Sequence, residues 1–464
     1  MDSRVKSFLE KIKGKKIALV GVGVSHRRLA GMLAEKGAKV TVLDRREKEA
    51  LGNTYTELCG KGVSFCLGEH YLDYLTDFDC ILRTPGMKFH LPELEEARRK
   101  GVAVTSEMEL FFDLCPAPIL AVTGSDGKTT TTSVIAEMLR AEGKAVHLGG
   151  NIGRALLPEI EEIGPEDFAV VELSSFQLIS MRKSPRVAVV TNVAPNHLDM
   201  HKDMQEYISA KKNIFLHQNA FSRTVLNLDN DITAAFSEEV RGQAVFFSRK
   251  QVPENGAFLN GQGMICYNEN GNTTEIMPQE IIRIPGTHNV ENYLAAISAV
   301  WGYVSPTTIV KVAEEFGGVE HRIEFVRELD GVKYYNDSIA TSPTRTIAGL
   351  RSFKQKIIII AGGYDKHIPF DPLVPVLLER VKVLVLTGDT AQKMEETIRK
   401  SPDYTPEALT ILHAETMVEA VQKAREIARP GDVISLSPAC ASFDRYPNFE
   451  ARGRHYKEIV NSLS

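Results

Sequence analysis

The chain has 464 residues, 43% of them hydrophobic and 25% charged, enough for several buried cores and too many for one ordinary domain. A formal net charge of -5 argues against a nucleic-acid-coating protein, whose affinity rests on surplus Lys and Arg. No apolar run reaches the ~18 residues of a membrane span, and the opening segment has no signal-peptide core. Six scattered cysteines without a CxxC pair suit a reducing, cytoplasmic setting better than a disulfide or zinc framework.

In chain order, Lys16–Val20 and Lys39–Asp44 read as short buried strands around a helix that runs to about Lys36, a β-α-β unit. Cys80–Arg83 reads as a later strand, ahead of a Pro85-Gly86 turn. Pro116-Ala-Pro118 punctuates a second unit that opens near Ser106, with strands expected at 119–122, 168–172, 187–192 and 223–227. Between 243 and 284, Asn255-Gly256, Asn260-Gly261 and Asn270-Gly271 predict small antiparallel hairpins. A helix is expected after Gly286-Thr-His-Asn289. A third unit starts near Val319, with strands at 356–360, 381–386 and 432–436. Near-continuous apolar runs separated by helices predict a parallel sheet covered on both faces. The expected fold is α/β in three domains: 1–105, Rossmann-like; 106–318, a P-loop ATPase-like parallel sheet with small hairpins; and 319–464, again Rossmann-like.

The segment Thr123-Gly124-Ser125-Asp126-Gly127-Lys128-Thr129-Thr130 carries the most chemistry. A buried strand ends in a glycine-rich turn and a helix begins, so backbone N–H groups and the helix N-terminus can cradle phosphates. Lys128 can reach the outer phosphates, and Thr129 can offer a hydroxyl to Mg²⁺. Glu172 ends one later strand and His197 follows another, at the same edge of the expected sheet. A carboxylate and an imidazole beside polyphosphate suit Mg²⁺, and two ions would neutralise a transferring phosphoryl group. Taken singly, Glu172 is more often a salt-bridged carboxylate and His197 a satisfied loop histidine. Gly21-Val-Gly23-Val-Ser-His26 starts like a dinucleotide fingerprint, but His26 stands at the third glycine position, so a nicotinamide-dependent dehydrogenase is the weaker rival.

The shortened T-G-x-x-G-K-[ST]-[ST] loop resembles that of the Mur ligase family, which also includes folylpolyglutamate synthases. Gly149-Gly-Asn151-Ile-Gly153, Glu172-Leu-Ser-Ser-Phe-Gln177, Asn192-Val-Ala-Pro-Asn-His197-Leu-Asp199 and Gly286-Thr-His-Asn289-Val-Glu-Asn292 resemble further family segments. Glu172–Gln177 and Ser437-Pro-Ala-Cys-Ala-Ser442-Phe-Asp444 are closest to those of the members that add D-glutamate. The resemblance implies an ATP-dependent amide ligase acting through an acyl phosphate on a UDP-N-acetylmuramoyl-L-alanine substrate, with D-glutamate as the incoming amine. Other ligases of the family are the alternative.

It further implies an ATP site of Gly124, Ser125, Asp126, Gly127, Lys128, Thr129, Thr130, Asn292, Arg322 and Asp337. A nucleotide-substrate site of Val24, Ser25, Asp44, Arg45, Arg46, Gly86 and Asn151 is implied, and a D-glutamate site of Thr341, Lys366, Ser442, Phe443 and Phe449. Lys128, Glu172, His197 and Lys211 would be catalytic, with Thr129, Glu172, His197 and Lys211 at the metals. Lys211 would be carbamylated, turning a cation into an oxygen ligand; Lys212 points ~100° away on the same helix. The family segment N-D-S-K-A-T-N reads Asn336-Asp-Ser-Ile339-Ala-Thr-Ser342 here, so an apolar Ile339 replaces a lysine, and Arg345 is placed to supply the charge. Ser342-Pro343 reads as an N-cap with an N1 proline. A monomer is expected.

Overall fold

A computed structural model describes residues 2–152, 154–195 and 201–464, with side chains except at Val24 and Ser25. The chain forms two compact units: Met1–Ile281 with Glu291–Val312, and Ile282–Val290 with Ala313–Ser464.

The first unit holds two parallel sheets. The order of the first is Ser64–Leu67, Lys39–Asp44, Lys16–Val20, Cys80–Arg83, Ala103–Thr105. Strand order reverses between Lys16–Val20 and Cys80–Arg83, and a crevice opens where their carboxyl ends diverge. The second sheet runs Gln243–Phe247, Arg223–Asn227, Val187–Val190, Ile119–Thr123, Phe168–Glu172, Val146–Gly150. Its strand 119–123 is buried throughout, as its unbroken apolar run requires. The two sheets share one core, in which Leu19 and Leu33 join Phe111, Ala121 and Val190.

One expectation for 243–284 and one for the helix that follows need correction. Only Gly256–Leu259, Met264–Glu269 and Asn272–Pro278 form antiparallel hairpins. Gln243–Phe247 is instead the parallel edge of the central sheet, because a short helix, Asp231–Ala235, returns the chain alongside Arg223–Asn227. The later helix, Thr287–Val300, starts inside the Gly-Thr-His-Asn segment rather than after it.

The sheet of the second unit is ordered Glu324–Leu329, Val332–Asn336, Val433–Leu436, Ile357–Ala361, Val381–Leu386, Thr410–His413. It is parallel except for Glu324–Leu329, an antiparallel edge the apolar runs did not announce. The signal was Asp330-Gly331: both adopt positive φ (53° and 76°), the left-handed geometry of a two-residue hairpin turn. Ser342 does stand at the N-cap of Pro343–Leu350, but its side chain makes no capping bond.

Candidate functional site

The phosphate loop sits at the carboxyl end of the central strand 119–123, and helix Lys128–Ala141 starts directly from it. Gly127 caps that helix at φ 77° with no side-chain bond, and an added Cβ there would lie 2.4 Å from Asn292 Oδ1. At Gly124 an added Cβ would lie 1.9 Å from Thr191 Oγ1, so both glycines are sterically required. Neighbouring strand ends brace the loop. Thr191 Oγ1 donates to Asp126 O (2.6 Å), and Asp126 N donates to Asn192 Oδ1 (2.9 Å). Ser125 Oγ donates to Ala194 O (2.9 Å) and lies 3.0 Å from Tyr207 OH. Lys128 Nζ donates to Gly124 O (3.0 Å) and Ser125 O (2.8 Å), which folds its charge over the loop.

Glu172, 2% exposed, ends the adjacent strand. Its Oε2 accepts from Thr129 Oγ1 (2.7 Å) and its Oε1 from Asn151 Nδ2 (2.7 Å). Two residues from separate sequence segments thus converge on one carboxylate. Hydroxyl, amide and carboxylate oxygens are hard donors that fit Mg²⁺ beside phosphate. Among the described residues no group of three His, Cys, Asp or Glu is placed to hold a metal ion. His197, Gly153 and Asp199, and the side chains of Val24 and Ser25, lie outside the description.

Helix Met204–Lys212 places its two lysines apart. Lys211 is 1% exposed, and its Nζ donates to Gly124 O (2.7 Å) and Thr123 Oγ1 (3.3 Å), under the phosphate loop. Burial, joined by the Lys128 cation, pushes its pKa down to about 7. Lys212 instead pairs with Glu239 at the surface.

In the first sheet, Asp44 sits in the crevice. Burial alone would raise its pKa, but the Arg46 guanidinium and the N–H groups of Val22 and Arg46 bring it down to about 2. Arg46 binds it through Nε (2.9 Å) and Nη2 (2.8 Å), so Arg46, and not Arg45, is the paired arginine. His26 turns inward and its Nδ1–H donates to Gly21 O (2.7 Å), filling the turn that a third glycine would leave open. An added Cβ at Gly86 meets no atom within 4 Å.

In the second unit the loops after Asn336, Ala361 and Leu436 gather at the carboxyl ends of adjacent strands. They bring Thr341 and Lys366 together, with Lys366 Nζ 3.5 Å from Thr341 O. Ser442 is buried, whereas Phe443 is exposed and meets Tyr364 edge-on. Phe449 packs edge-on against His321. Asp337 accepts from Ile323 N (3.2 Å), and burial raises its pKa to about 7 despite Arg322 nearby. Arg345 Nη1 donates to Ile339 O (3.3 Å), placing a guanidinium beside the position of the missing lysine.

Sequence reasoning missed Arg452. This buried residue donates to Ser338 Oγ (3.0 Å), Ser338 O (2.9 Å), Ala441 O (3.0 Å) and Cys440 O (3.0 Å), tying together the loops that carry Thr341 and Ser442. Nothing in its surroundings, Ala451-Arg452-Gly453, signals it. Tyr207, 3.0 Å from Ser125 Oγ, and Asn192, whose Oδ1 accepts from Asp126 N, also brace the phosphate loop, and no role was expected of either.

Parallel sheets with a phosphate loop at the central strand define a nucleotide-dependent α/β protein. Three family descriptions match the chain: "Mur ligase MurD-like, N-terminal domain" at 15–106, "Mur ligase middle domain" at 122–300 and "Mur ligase, glutamate ligase domain" at 321–440. The chain belongs to the Mur ligase family. It is 54% identical over 465 residues to the UDP-N-acetylmuramoylalanine--D-glutamate ligase of Acetivibrio thermocellus, and 49% identical over 463 residues to the enzyme of that name from Clostridium novyi; both comparisons cover 100% of each chain. Its fold, three domains each built on a largely parallel sheet, is also that of the UDP-N-acetylmuramate–alanine ligase of Thermotoga maritima. That match has a TM-score of 0.58 at 20% identity and covers 97% of this chain and 99% of the other.

Proposed function

We propose that the chain is an ATP-dependent amide ligase that joins D-glutamate to UDP-N-acetylmuramoyl-L-alanine in peptidoglycan precursor synthesis. The observation that carries the reading is full-length identity of about half with ligases of that name, on a chain whose phosphate-loop threonine meets Glu172. The three domains divide the work: residues 1–105 take the uridine nucleotide, 106–318 take ATP, and 319–464 take D-glutamate. The alanyl carboxylate attacks the γ-phosphorus of ATP and the bond to the β–γ bridging oxygen breaks, releasing ADP; this activation is needed because a free carboxylate is too poor an electrophile to form an amide. The resulting acyl phosphate is attacked by the neutral amine of D-glutamate, and phosphate leaves.

Lys128 and the N-terminus of helix Lys128–Ala141 stabilise the charge that develops on the phosphoryl oxygens. Thr129 and Glu172 would hold one Mg²⁺, and His197 with a carbamylated Lys211 a second; the ions supply charge neutralisation at the phosphates. Asn292 braces the loop at Gly127, with Arg322 and Asp337 serving phosphate and ribose. Asp44, with Arg45, Arg46, Gly86 and the start of the helix at Val24 and Ser25, receives the uridine end, and Asn151 orients Glu172. Thr341, Lys366, Ser442, Phe443 and Phe449 form the D-glutamate site, where Lys366 offers the cation that a dicarboxylate needs. No helix among the described residues is long and apolar enough to cross a membrane, in keeping with a cytoplasmic enzyme, which we take to act as a monomer.

Phosphate release tests the assignment. It should require ATP, Mg²⁺, the muramoyl-alanine nucleotide and D-glutamate together. Equal turnover with L-glutamate or a diamino acid would refute the substrate.

A further inference from the structure

The first sheet ends on Ala103–Thr105, which pairs with Cys80–Leu82 on one side and, among the described residues, with no strand on the other. A cavity of about 480 Å³ lies along that open edge. Its wall is built from the strand and its approach at Gly101, from helix Glu107–Leu114, and from Met181–Lys183 ahead of strand Val187–Val190. None of the roles assigned above falls on these residues. The volume is that of a site for a complete small ligand, ~300–1,000 Å³.

Three kinds of group line the cavity. The first is backbone: a strand edge turns the N–H and C=O groups of alternate residues outward. Three residues at ~3.3 Å each give ~10 Å of edge, the reach of a peptide of three or four residues. The second is apolar, from the buried side chains of Phe112 and Met181. The third is charged. Lys183 is paired with Asp113 (2.6 Å), and Arg98 with Glu95 (3.0 Å). Arg182 is exposed and makes no hydrogen bond or ion pair among the described residues. Ser106 Oγ (3.0 Å) and Ser180 Oγ (2.9 Å) both donate to Glu109 Oε2, which leaves Oε1 as an acceptor in the wall.

We infer that this cavity binds a short free peptide in extended form, which adds a sixth strand along Ala103–Thr105, rests apolar side chains on Phe112 and Met181, and places a carboxylate on Arg182. A peptide is the ligand class because it offers amide N–H and C=O groups at the repeat of a strand edge. A free peptide suits the volume, which matches a whole ligand rather than a segment of a larger one. The negative charge follows from Arg182, the cation of the lining left without a carboxylate among the described residues. The inference stands apart from the proposed function, because none of its residues serves the nucleotide, ATP or D-glutamate sites. A short edge flanked by cations also guards a sheet against pairing with other chains, and the test separates the two roles.

Calorimetry on the full chain uses acetyl-Val-Thr-Val-Glu with a free C-terminus, and acetyl-Val-Thr-Val-Lys amide as its cationic counterpart. The acidic peptide should bind with a Kd below ~1 mM, and the cationic one roughly tenfold more weakly, the value of one charge-assisted hydrogen bond. Arg182→Glu, at an exposed position, should unfold at the wild-type temperature and lose affinity for the acidic peptide by a similar factor. Two further acidic peptides, N-methylated at the Thr or at the Val after it, test strand addition. Alternate amides face the edge, so one methyl should abolish binding and the other should leave it intact. No binding of the acidic peptide at ~5 mM overturns the site and leaves the cations as guards of the edge. Equal affinity for the acidic and cationic peptides, equal effects of the two methyl groups, or wild-type affinity in Arg182→Glu also overturns it.

Discussion

Replacing Arg452 with Met removes four hydrogen bonds from the buried seam between the Ser338 and Cys440–Ala441 loops while keeping most of the side-chain volume. Each bond from a charged donor contributes ~1.5–3 kcal/mol, so four are worth about 6 kcal/mol at the low end. Against that, burial holds the guanidinium down at about 10. Losing the charge relieves about 3 kcal/mol of desolvation at ~1.4 kcal/mol per tenfold change. The net loss should be about 3 kcal/mol, concentrated in the second unit. The sole tryptophan, Trp301, lies in the first unit, so its fluorescence provides an internal control. In urea, amide exchange across residues 313–464 should loosen at lower denaturant than in wild type, while the Trp301 transition stays in place. The KM for D-glutamate should rise more than that for ATP, because the seam positions the loops of Thr341 and Ser442. Arg452→Lys, able to reach only part of the seam, should fall between. A Met variant within about 1 kcal/mol of wild type, with KM for D-glutamate unchanged, would refute the reasoning.

Lys211→Ala should lose at least ~10²-fold in turnover, as expected for loss of charge stabilisation at a phosphoryl site. Lys212→Ala should stay active, giving up no more than the ~1 kcal/mol of a surface pair with Glu239; the reverse pattern would show the helix register to be misread. Lys128→Ala and Glu172→Ala should each cost a similar ~10²-fold, and single-turnover phosphate release near wild-type rates in both would move phosphoryl transfer away from this loop. Glu107 is buried against Leu157 N (3.0 Å), and desolvation lifts its pKa to about 7. The protonated form is favoured by folding, so its contribution is fully present below the ordinary carboxylate range and is lost as pH climbs toward 7, at most about 3 kcal/mol. Glu107→Gln should therefore flatten the fall in stability between pH 5 and pH 8, read as urea midpoints from Trp301; an unchanged slope would contradict the assignment.

Much of this was legible in the chain because the signals were local. The strands at 16–20, 39–44, 168–172 and 223–227 are short apolar runs bounded by turn residues, and the phosphate loop is a contiguous motif. Register along one helix separated Lys211 from Lys212, because adjacent helical residues face ~100° apart. Contacts across long sequence separations were not legible. The convergence of Thr129 and Asn151 on Glu172 depends on the order of strands in the sheet, which no local pattern encodes. Arg452 reaches Ser338 from 114 residues away, and Gln243–Phe247 pairs in parallel only because of where a five-residue helix returns the chain. The Asp330-Gly331 turn is local, but the strand before it, Glu-Phe-Val-Arg-Glu-Leu, is too polar to read as a buried run.

The first compact unit is not contiguous: it takes up Glu291–Val312 after the chain has already contributed Ile282–Val290 to the other. During synthesis its core therefore stays incomplete until residue 312 has cleared the ribosome, because Tyr293, Leu294 and Ile297 are fully buried parts of it. The nine residues just before that segment must then wait for about 150 more, roughly 8–30 s at ordinary elongation rates, before their own unit can close. A nascent chain released at residue 281 would hold every strand of the first two sheets and still lack the buried side chains of Tyr293, Leu294 and Ile297.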